Sequence, residues 1–232
     1  MTQRHWVQAG KERVMGLFLD SARIEEVKRA VELGFLSGVT TNPTIMAKAQ
    51  GQPKEIIRQI CATSPGPVFY QVTGKTAAER EREGREVFAI SPEKVVLKIP
   101  ATTENMALMA KLSKNIPCAA TAVYSGAQTL VACEAGARYV IPYVNRATRL
   151  LGDGCRLVAE MAAVLRTSDR CVEILAASIK SADEATQAVL AGANHLTLPL
   201  DILLGLGNHP LSDAAIEDFS RAVAQTNSEV RN

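Results

Sequence analysis

Lys98 is the residue of this chain whose type and setting most clearly suggest chemistry, because it stands inside an apolar run, Val95–Ile99, that Pro100 ends. Burying an ammonium group is costly unless the group is paired or neutral. A lysine on an edge strand would extend its amine to solvent. In a central strand, the apolar setting would instead lower the pKa of the amine and leave it free to attack a carbonyl carbon. Lys98 is therefore a candidate Schiff-base lysine if its strand is central.

Other polar residues stand where apolar runs end. Each has a structural interpretation when taken alone: Asp20 suits the N-cap of a following helix, and Asn42, before Pro43, suits a turn. Taken together they mark the same end of successive strands, where active sites form. The full set is Asp20, Thr41, Asn42, Gln71, Lys98, Thr121, Tyr143, Ser178 and Thr197.

Three residues late in the chain suggest an anion site. Arg146 follows the sixth apolar run, and Ser178 and Lys180 follow the seventh. Each of the two charges alone is typical of a solvated surface. A guanidinium, a hydroxyl and an ammonium group near the last strands of a barrel suit a phosphate group.

These residues must be positioned by strands that alternate with amphipathic helices. The apolar runs are short and rich in Val, Ile, Leu and Ala, as in parallel strands that are covered on both faces. They are Val14–Leu19, Gly38–Thr41, Val68–Val72, Val95–Ile99, Cys118–Val123, Tyr139–Val144, Cys171–Ser178 and His195–Leu200. Helices are predicted between them, for example over 24–33 with Gly34 as C-cap and over 76–88 as a charged outer helix.

Two α/β architectures fit this alternation, a doubly wound open sheet and a (β/α)8 barrel. Two features favour the barrel: no GxGxxG motif follows the first run, and every run ends in polar residues. We therefore predict a single-domain (β/α)8 TIM barrel over residues 15–232, closed by a C-terminal helix at 214–223. Residues 1–14 are expected to be an N-terminal extension that is disordered.

Composition argues against several classes of protein. A net charge of +2 and 4% aromatic residues give neither a basic field nor stacking surfaces for nucleic acid. The uncharged stretch 116–133 is broken by polar residues and Pro117, so no membrane span is expected, and residues 1–14 lack the apolar core of a secretory signal. Five cysteines without a CxxC pair and three scattered histidines predict reduced thiols, a cytoplasmic protein and no metal site.

Several segments resemble the transaldolase family, specifically its small subfamily. They include Phe18–Ala22, Gly38–Thr44, Val96–Pro100 and Leu175–Ser178. The likeness is strongest to the bacterial fructose-6-phosphate aldolases, and it rests on Thr121–Tyr124, Pro142–Arg146 and Leu196–Asp201. It runs in order through about residues 15 to 224.

The resemblance implies roles for individual residues. Lys98 would form the Schiff base, Asp20 would assist proton transfer, and Thr121, Gln71 and Tyr143 would hold the catalytic water. Asn42, with Thr41 beside it, would contact substrate hydroxyls. Arg146, Ser178 and Lys180 would bind the phosphate group. The family needs no metal or organic cofactor and forms large rings, so a homo-oligomer, a pentamer or decamer, is expected.

Two positions bear on which reaction follows. Transaldolases carry Glu where this chain has Gln71, and usually Phe where it has Tyr143; the pair found here favours reversible cleavage of fructose 6-phosphate to dihydroxyacetone and glyceraldehyde 3-phosphate. The alternative is a transaldolase that moves the dihydroxyacetone unit to another sugar phosphate. Ile141 departs from the small residue of the aldolases, and if it faces the interior the donor pocket is tighter.

Two further hypotheses stay open. One is a barrel that binds a sugar phosphate without catalysis, although it would not need Lys98 or Asp20. The other is a Schiff-base aldolase for another substrate, such as deoxyribose 5-phosphate. The segment Thr40–Thr44 does not belong to that second family.

Overall fold

The computed structural model describes residues 15–229, with side chains described through residue 224. Eight parallel strands form a closed barrel in the order of the sequence, and helices alternate with the strands on its outside. The predicted (β/α)8 barrel is therefore confirmed. The prediction for residues 1–14 lies outside the described residues.

Each predicted apolar run overlaps one strand, although β1, β2 and β4 extend beyond the bounds of their runs. The strands are β1 (Gly16–Asp20), β2 (Leu36–Thr40), β3 (Val68–Gln71), β4 (Val95–Pro100), β5 (Cys118–Val123), β6 (Tyr139–Pro142), β7 (Glu173–Ala176) and β8 (His195–Leu198). The sixth run was predicted too long. Tyr143 makes only an isolated bridge to Ala177, and Val144 already begins a helix.

The helices occupy the outer layer. They are α1 (Ile24–Val31), α2 (Pro43–Lys48), α3 (Pro53–Thr63), α4 (Ala77–Phe88), α5 (Thr103–Leu112), α6 (Gly126–Glu134), α7 (Val144–Leu151), α8 (Gly154–Leu165), α9 (Ala182–Leu190), α10 (Leu200–Gly205) and α11 (Pro210–Glu229). α1 ends two residues earlier than predicted, and Gly34 beyond it takes the left-handed conformation, φ 78°, that favours glycine. Within residues 15–229, no helix is both long and apolar enough to cross a membrane.

Capping side chains fix where several helices begin above the strands. The side chains of Asn42, Thr76, Thr102, Ser125 and Ser181 each accept a hydrogen bond from the backbone N–H three residues on. Such caps satisfy donors that the first turn of a helix leaves unpaired. The loops that follow β2, β3, β4, β5 and β7 are thereby held at defined positions around one end of the barrel.

The strands separate two hydrophobic cores. The larger core fills the space between strands and helices, and the smaller one lies inside the barrel. Because side chains alternate along a strand, every second residue of each strand faces the interior. The inner core consists of Phe18, Phe69, Val96, Ala119, Tyr139, Ile141, Leu175 and Ala177, with Tyr143 packed against it. Ile141 therefore faces the interior, as the tighter-pocket interpretation requires.

Candidate active site

Lys98 lies in the interior at the C-terminal end of the barrel, which we call the mouth. Its strand, β4, pairs with β3 on one side and β5 on the other, so it has no free edge. The side chain is 3% exposed, and Nζ donates a 2.9 Å hydrogen bond to the carbonyl oxygen of Thr41. Burial lowers the pKa of the Lys98 amine, while the charge of Asp20 opposes this shift. A lowered pKa increases the fraction of neutral, nucleophilic amine.

Asp20 ends β1 and is held by hydroxyl and amide groups. Thr40 Oγ1 donates to Asp20 Oδ1 at 2.8 Å, and Asn42 Nδ2 lies 3.5 Å from Oδ2. Thr40 Oγ1 is also 2.6 Å from Thr197 Oγ1 on β8. Asn42 additionally caps α2 through a bond from the Ile45 N–H to Oδ1. Both predicted residues, Asp20 and Asn42, thus lie together, and Thr40 joins them although no sequence feature singled it out.

Thr121 and Tyr143 form a second pair. Thr121 Oγ1 and Tyr143 OH are 3.0 Å apart, and the Thr121 side chain is fully buried. Burial is the largest cause that raises the pKa of the Tyr143 phenol, so the phenol keeps its proton at neutral pH. The guanidinium of Arg146 lies over the Tyr143 ring, 5.0 Å from its centroid, and Tyr124 packs edge-on at 6.2 Å. The phenol is therefore held in one orientation from two sides.

Gln71 stands beside Lys98, since the two residues are register partners of β3 and β4. Its Oε1 is buried and has no hydrogen-bond partner among the described residues. An unpartnered buried acceptor is uncommon in folded proteins and is often explained by a ligand or a water. Gln71 therefore offers a hydrogen-bond acceptor at the mouth, and an amide cannot ionise.

The backbone is strained at two places near the mouth. Among the described residues, positive φ outside glycine occurs at Ala122 (φ 55°) and Ser178 (φ 60°). Ala122 directly follows Thr121, at a register shift between β5 and β6. Such conformations cost free energy and cluster at functional sites. Both lie next to residues that the sequence predicts for the site.

The predicted anion-binding residues are brought together only in part. The Asn145 N–H donates to the Ser178 carbonyl oxygen at 3.1 Å, which places Arg146 beside Ser178. Lys180 is exposed, and its backbone N–H donates to Glu184 Oε2 at the start of α9. The hydroxyl of Thr41, predicted as a substrate-binding residue, already has a partner within the protein. This fully buried hydroxyl donates to the Phe69 carbonyl oxygen, so the contribution of Thr41 to the mouth is the carbonyl that accepts from Lys98.

The arrangement suits covalent chemistry at a carbonyl carbon. A buried amine of lowered pKa is the nucleophile, a carboxylate lies close enough to interact with its charge, and two hydroxyls and an amide are positioned to move or hold protons. Within residues 15–229, no three His, Cys, Asp or Glu side chains gather as a metal-binding group.

The fold and this site define a class, a (β/α)8 barrel with a buried lysine at its mouth. Comparison with known families then identifies the group. Residues 17–231 match the family model described as Transaldolase/Fructose-6-phosphate aldolase, and the chain belongs to that family. It is an enzyme of carbohydrate metabolism whose family acts on sugar phosphates.

Curated relatives match over most of their length. A "Probable transaldolase" of Aquifex aeolicus is 38% identical over 206 residues, which cover 88% of this chain and 94% of the relative. A "Probable transaldolase" of Halalkalibacterium halodurans is 37% identical, with 88% and 97% covered. One of Clostridium botulinum is 34% identical, with 89% and 95% covered. These names favour the alternative that the sequence left open, a transaldolase, over the aldolase.

A solved structure of a mandelate oxidase variant aligns with a TM-score of 0.58 at 14% identity, covering 84% of this chain and 68% of that one. At this identity the likeness concerns the fold alone.

Proposed function

We propose that Lys98 forms a Schiff base with the ketone of a ketose phosphate such as fructose 6-phosphate. The observation that carries this proposal is the buried Lys98 amine, whose pKa is lowered by burial in a barrel without a strand edge. The amine adds to the carbonyl carbon, and loss of water leaves an iminium. The iminium accepts the electron pair of the C3–C4 bond as that bond breaks. Glyceraldehyde 3-phosphate leaves, and a three-carbon enamine stays on Lys98.

The neighbours of Lys98 supply proton transfer in this scheme. Asp20 assists dehydration of the carbinolamine, since its carboxylate lies near enough to influence the Lys98 amine. Tyr143 and Thr121, whose hydroxyl oxygens are 3.0 Å apart, hold a water that relays the proton of the C4 hydroxyl to the Asp20 carboxylate, which is left without its proton after the dehydration step. The unpartnered Oε1 of Gln71 accepts from that water. No organic cofactor or metal takes part in the proposed steps.

Substrate binding uses the residues around these groups. Asn42 contacts substrate hydroxyls, and Arg146 with Ser178 binds the phosphate, because a guanidinium pairs well with phosphate oxygens. Lys180, exposed on the loop after β7, adds a positive charge at longer range.

The fate of the enamine separates two candidate functions. In a transaldolase it attacks a second aldehyde; in a fructose-6-phosphate aldolase it is protonated and hydrolysed to free dihydroxyacetone. The names of the curated relatives support the transaldolase. Gln71 and Tyr143 support the aldolase, because an amide cannot act as the general base that a glutamate would provide.

Reductive trapping tests the Schiff base. Borohydride added with fructose 6-phosphate should fix a three-carbon fragment on Lys98, found by peptide mass spectrometry. Lys94 offers a matched control, because it precedes the same strand and its Nζ donates to two carbonyl oxygens, of Cys61 and Ser64, at 2.7 Å each. The Lys94→Met variant should still be labelled at Lys98. Absence of an adduct on Lys98 in the unaltered enzyme would refute the proposal. Its presence would exclude a barrel that binds the sugar phosphate without catalysis.

A product assay separates the two candidates. Fructose 6-phosphate is supplied with and without erythrose 4-phosphate, and free dihydroxyacetone is measured. Release without the acceptor supports the aldolase; turnover only with the acceptor supports the transaldolase. The Gln71→Glu variant adds a carboxylate beside Lys98 and should raise transfer relative to release.

We also propose that the enzyme assembles into a homo-oligomer, a pentamer or decamer, through α11. Three of its apolar side chains are widely exposed in the single chain: Ile216 at 61%, Phe219 at 69% and Val223 at 61%. Exposed apolar surface of this kind marks interaction sites. Sedimentation of the enzyme and of Phe219→Ser should show a large assembly and its dissociation.

The five free cysteines fit a reducing, cytoplasmic location, which fractionation of the source cells tests.

A further inference from the structure

We propose that Thr197 and Thr40 are positioning residues that fix the Asp20 carboxylate for its work beside Lys98. This inference rests on the proposed function, because it concerns the carboxylate that assists the Schiff-base steps. It assigns a task to two buried hydroxyls to which the scheme above gives no role, although the sequence marks Thr197 as a polar residue of a strand and Thr40 as part of the segment Thr40–Thr44. Thr197 lies on β8, and it acts on the site only through Thr40.

The three side chains form one hydrogen-bonded chain. Thr197 Oγ1 is 2.6 Å from Thr40 Oγ1, which is 2.8 Å from Asp20 Oδ1. Thr40 is 0% exposed and Thr197 is 2% exposed, so water does not replace these contacts. Barrel closure brings them together, since β1 pairs with β2 on one side and with β8 on the other. Asp20 is the register partner of Thr40, and Phe18, two residues earlier on β1, is the partner of Thr197.

The donor in each of these hydrogen bonds follows from the chemistry of the three side chains. A carboxylate accepts hydrogen bonds only, so the single hydroxyl proton of Thr40 points to Asp20. The short contact between the two threonines then requires Thr197 to donate to Thr40 Oγ1. In a buried site such bonds polarise one another, so the Thr197 hydroxyl strengthens the bond that Thr40 makes to the carboxylate.

The other contact to the carboxylate is weaker. Asn42 Nδ2 lies 3.5 Å from Oδ2, at the limit for a hydrogen bond. The bond from Thr40 is therefore the one that fixes the rotation of the carboxyl group. It thereby fixes a carboxylate whose charge acts on both the Lys98 amine and the Tyr143 phenol.

Replacing Thr197 with Val tests the hydrogen-bonded chain from Thr197 to Asp20. The substitution keeps the shape but sets a methyl group where an oxygen lies 2.6 Å from Thr40 Oγ1. A methyl group cannot approach an oxygen this closely, so the Thr40 hydroxyl must move and Asp20 loses its fixed orientation. We expect kcat to fall about tenfold, the loss of one positioning interaction, with KM changed less than about twofold. Thr197→Ser keeps the hydroxyl and should restore kcat to within about threefold of the unaltered enzyme.

Thr129→Val is the matched control. Thr129 is also fully buried, and its hydroxyl donates to the carbonyl oxygen of Ser125, the N-cap of α6, and not to Asp20, Thr40 or Thr197. The Thr129→Val substitution should lower the melting temperature without changing kcat or KM. If Thr197→Val does not fold, Thr197→Ala removes the hydroxyl without crowding and should lower kcat in the same direction.

Three results would overturn the inference. They are an unchanged kcat in both Thr197→Val and Thr197→Ala, a loss in Thr197→Ser as large as in Thr197→Val, or an equal loss of kcat in Thr129→Val. Borohydride trapping of the unaltered enzyme keeps these results separate from failure of the proposed function. An adduct on Lys98 together with any of them rejects the threonine chain and leaves the Schiff base standing.

Discussion

The two ends of the barrel interior both carry buried polar groups, but they treat them differently. At the mouth, Lys98 has one hydrogen bond, to the Thr41 carbonyl oxygen, and Gln71 Oε1 has no partner among the described residues. At the opposite end, which we call the floor, His195 on β8 packs among aromatic rings, and its Nδ1 accepts a backbone hydrogen bond. The mouth combines an unpartnered acceptor with a buried amine, whereas the floor surrounds its histidine with aromatic rings.

The contacts at the floor connect neighbouring strands. His195 Nδ1 accepts a 3.0 Å hydrogen bond from the Gly16 N–H, so a neutral ring carries its proton on Nε2. Nε2 lies 3.4 Å from Glu173 Oε2 and has no hydrogen-bond partner among the described residues. A Cβ at Gly16 would lie 2.9 Å from Nδ1, which explains why glycine stands there.

This difference assigns work to the two ends. Strain at Ala122 and Ser178, an unpartnered acceptor and a buried amine all cost stability, and all lie at the mouth. A protein retains such costs where function needs them. The floor also carries an unpartnered atom, His195 Nε2, but ring packing and a backbone hydrogen bond hold that side chain, as is typical of the stabilising end of a (β/α)8 barrel. Substitutions at the mouth should therefore change activity more than stability, and those at the floor the reverse.

The largest effect on activity is expected from Lys98→Met. Turnover and borohydride labelling should be lost, because no amine remains to form the iminium. The free energy of unfolding at pH 7 should rise by about 1 to 2 kcal/mol, since the burial cost of the amine disappears. Kinetic assays and urea unfolding measure the two quantities.

The pH dependence of that stability difference has a definite sign. Burial lowers the pKa of Lys98 in the folded chain, whereas the unfolded chain keeps the ordinary value of 10.5. Between the lowered pKa of the folded chain and 10.5 the unfolded state therefore binds more protons, so the stability of the enzyme rises with pH over that range. The advantage of Lys98→Met should shrink toward pH 10.5. If Lys98→Met is less stable than the unaltered enzyme at pH 7, the buried amine does not cost the mouth stability.

Tyr143→Phe should have the next largest effect. The phenol loses its contact with Thr121, and kcat should fall by about 10² to 10³, the range for removal of a group that moves a proton. Tyr124→Phe is the control, because its ring packs edge-on against Tyr143 and is kept in the variant. The control should retain kcat within a few-fold. An equal loss in both variants would mean that ring packing, and not the Tyr143 hydroxyl, supports turnover.

The sequence predicted which residues lie at the mouth better than it predicted the contacts that hold those residues in place. Lys98 was recognisable because a charge stands in an apolar run, and Asp20, Gln71 and Thr121 because they end or interrupt such runs. Polar residues at strand ends are a local feature, and closure of the barrel gathers them at one end.

The parts that sequence reasoning missed depend on contacts between distant segments. The bond between Thr40 and Thr197 joins residues 157 positions apart and exists only because β8 closes onto β1. Nothing in an alanine indicates the positive φ of Ala122. Nor does the sequence indicate that the Thr41 hydroxyl donates to the Phe69 carbonyl oxygen while the Thr41 carbonyl oxygen accepts from Lys98.

His195→Ala tests the floor. The substitution leaves a cavity among Phe18 and Tyr139 and removes the acceptor of the Gly16 N–H. Together these losses should lower the free energy of unfolding by about 2 to 4 kcal/mol. Below the unfolding temperature, kcat and KM should stay within about twofold. A large fall in kcat with little loss of stability would break the division between floor and mouth.

Ile141→Ala addresses the boundary between the two ends, and it should change the preference between donors and not the overall rate. Ile141 is fully buried in the inner core, where Tyr143 of the mouth packs against it. Removing its outer carbons enlarges the space beneath the reacting three-carbon unit. The ratio of kcat/KM for dihydroxyacetone to that for the smaller hydroxyacetone should rise up to about tenfold, as expected for a change in pocket volume.

Val140→Ala separates this effect from a general loss of stability. Val140 is the neighbour of Ile141 on β6 and is equally buried, but it faces the outer core. Both variants should unfold more easily than the enzyme, by roughly 1 to 4 kcal/mol. Only Ile141→Ala should change the donor ratio. An unchanged ratio would mean that the donor pocket ends above Ile141. The boundary between the floor and the mouth would then lie nearer to Lys98 and Tyr143.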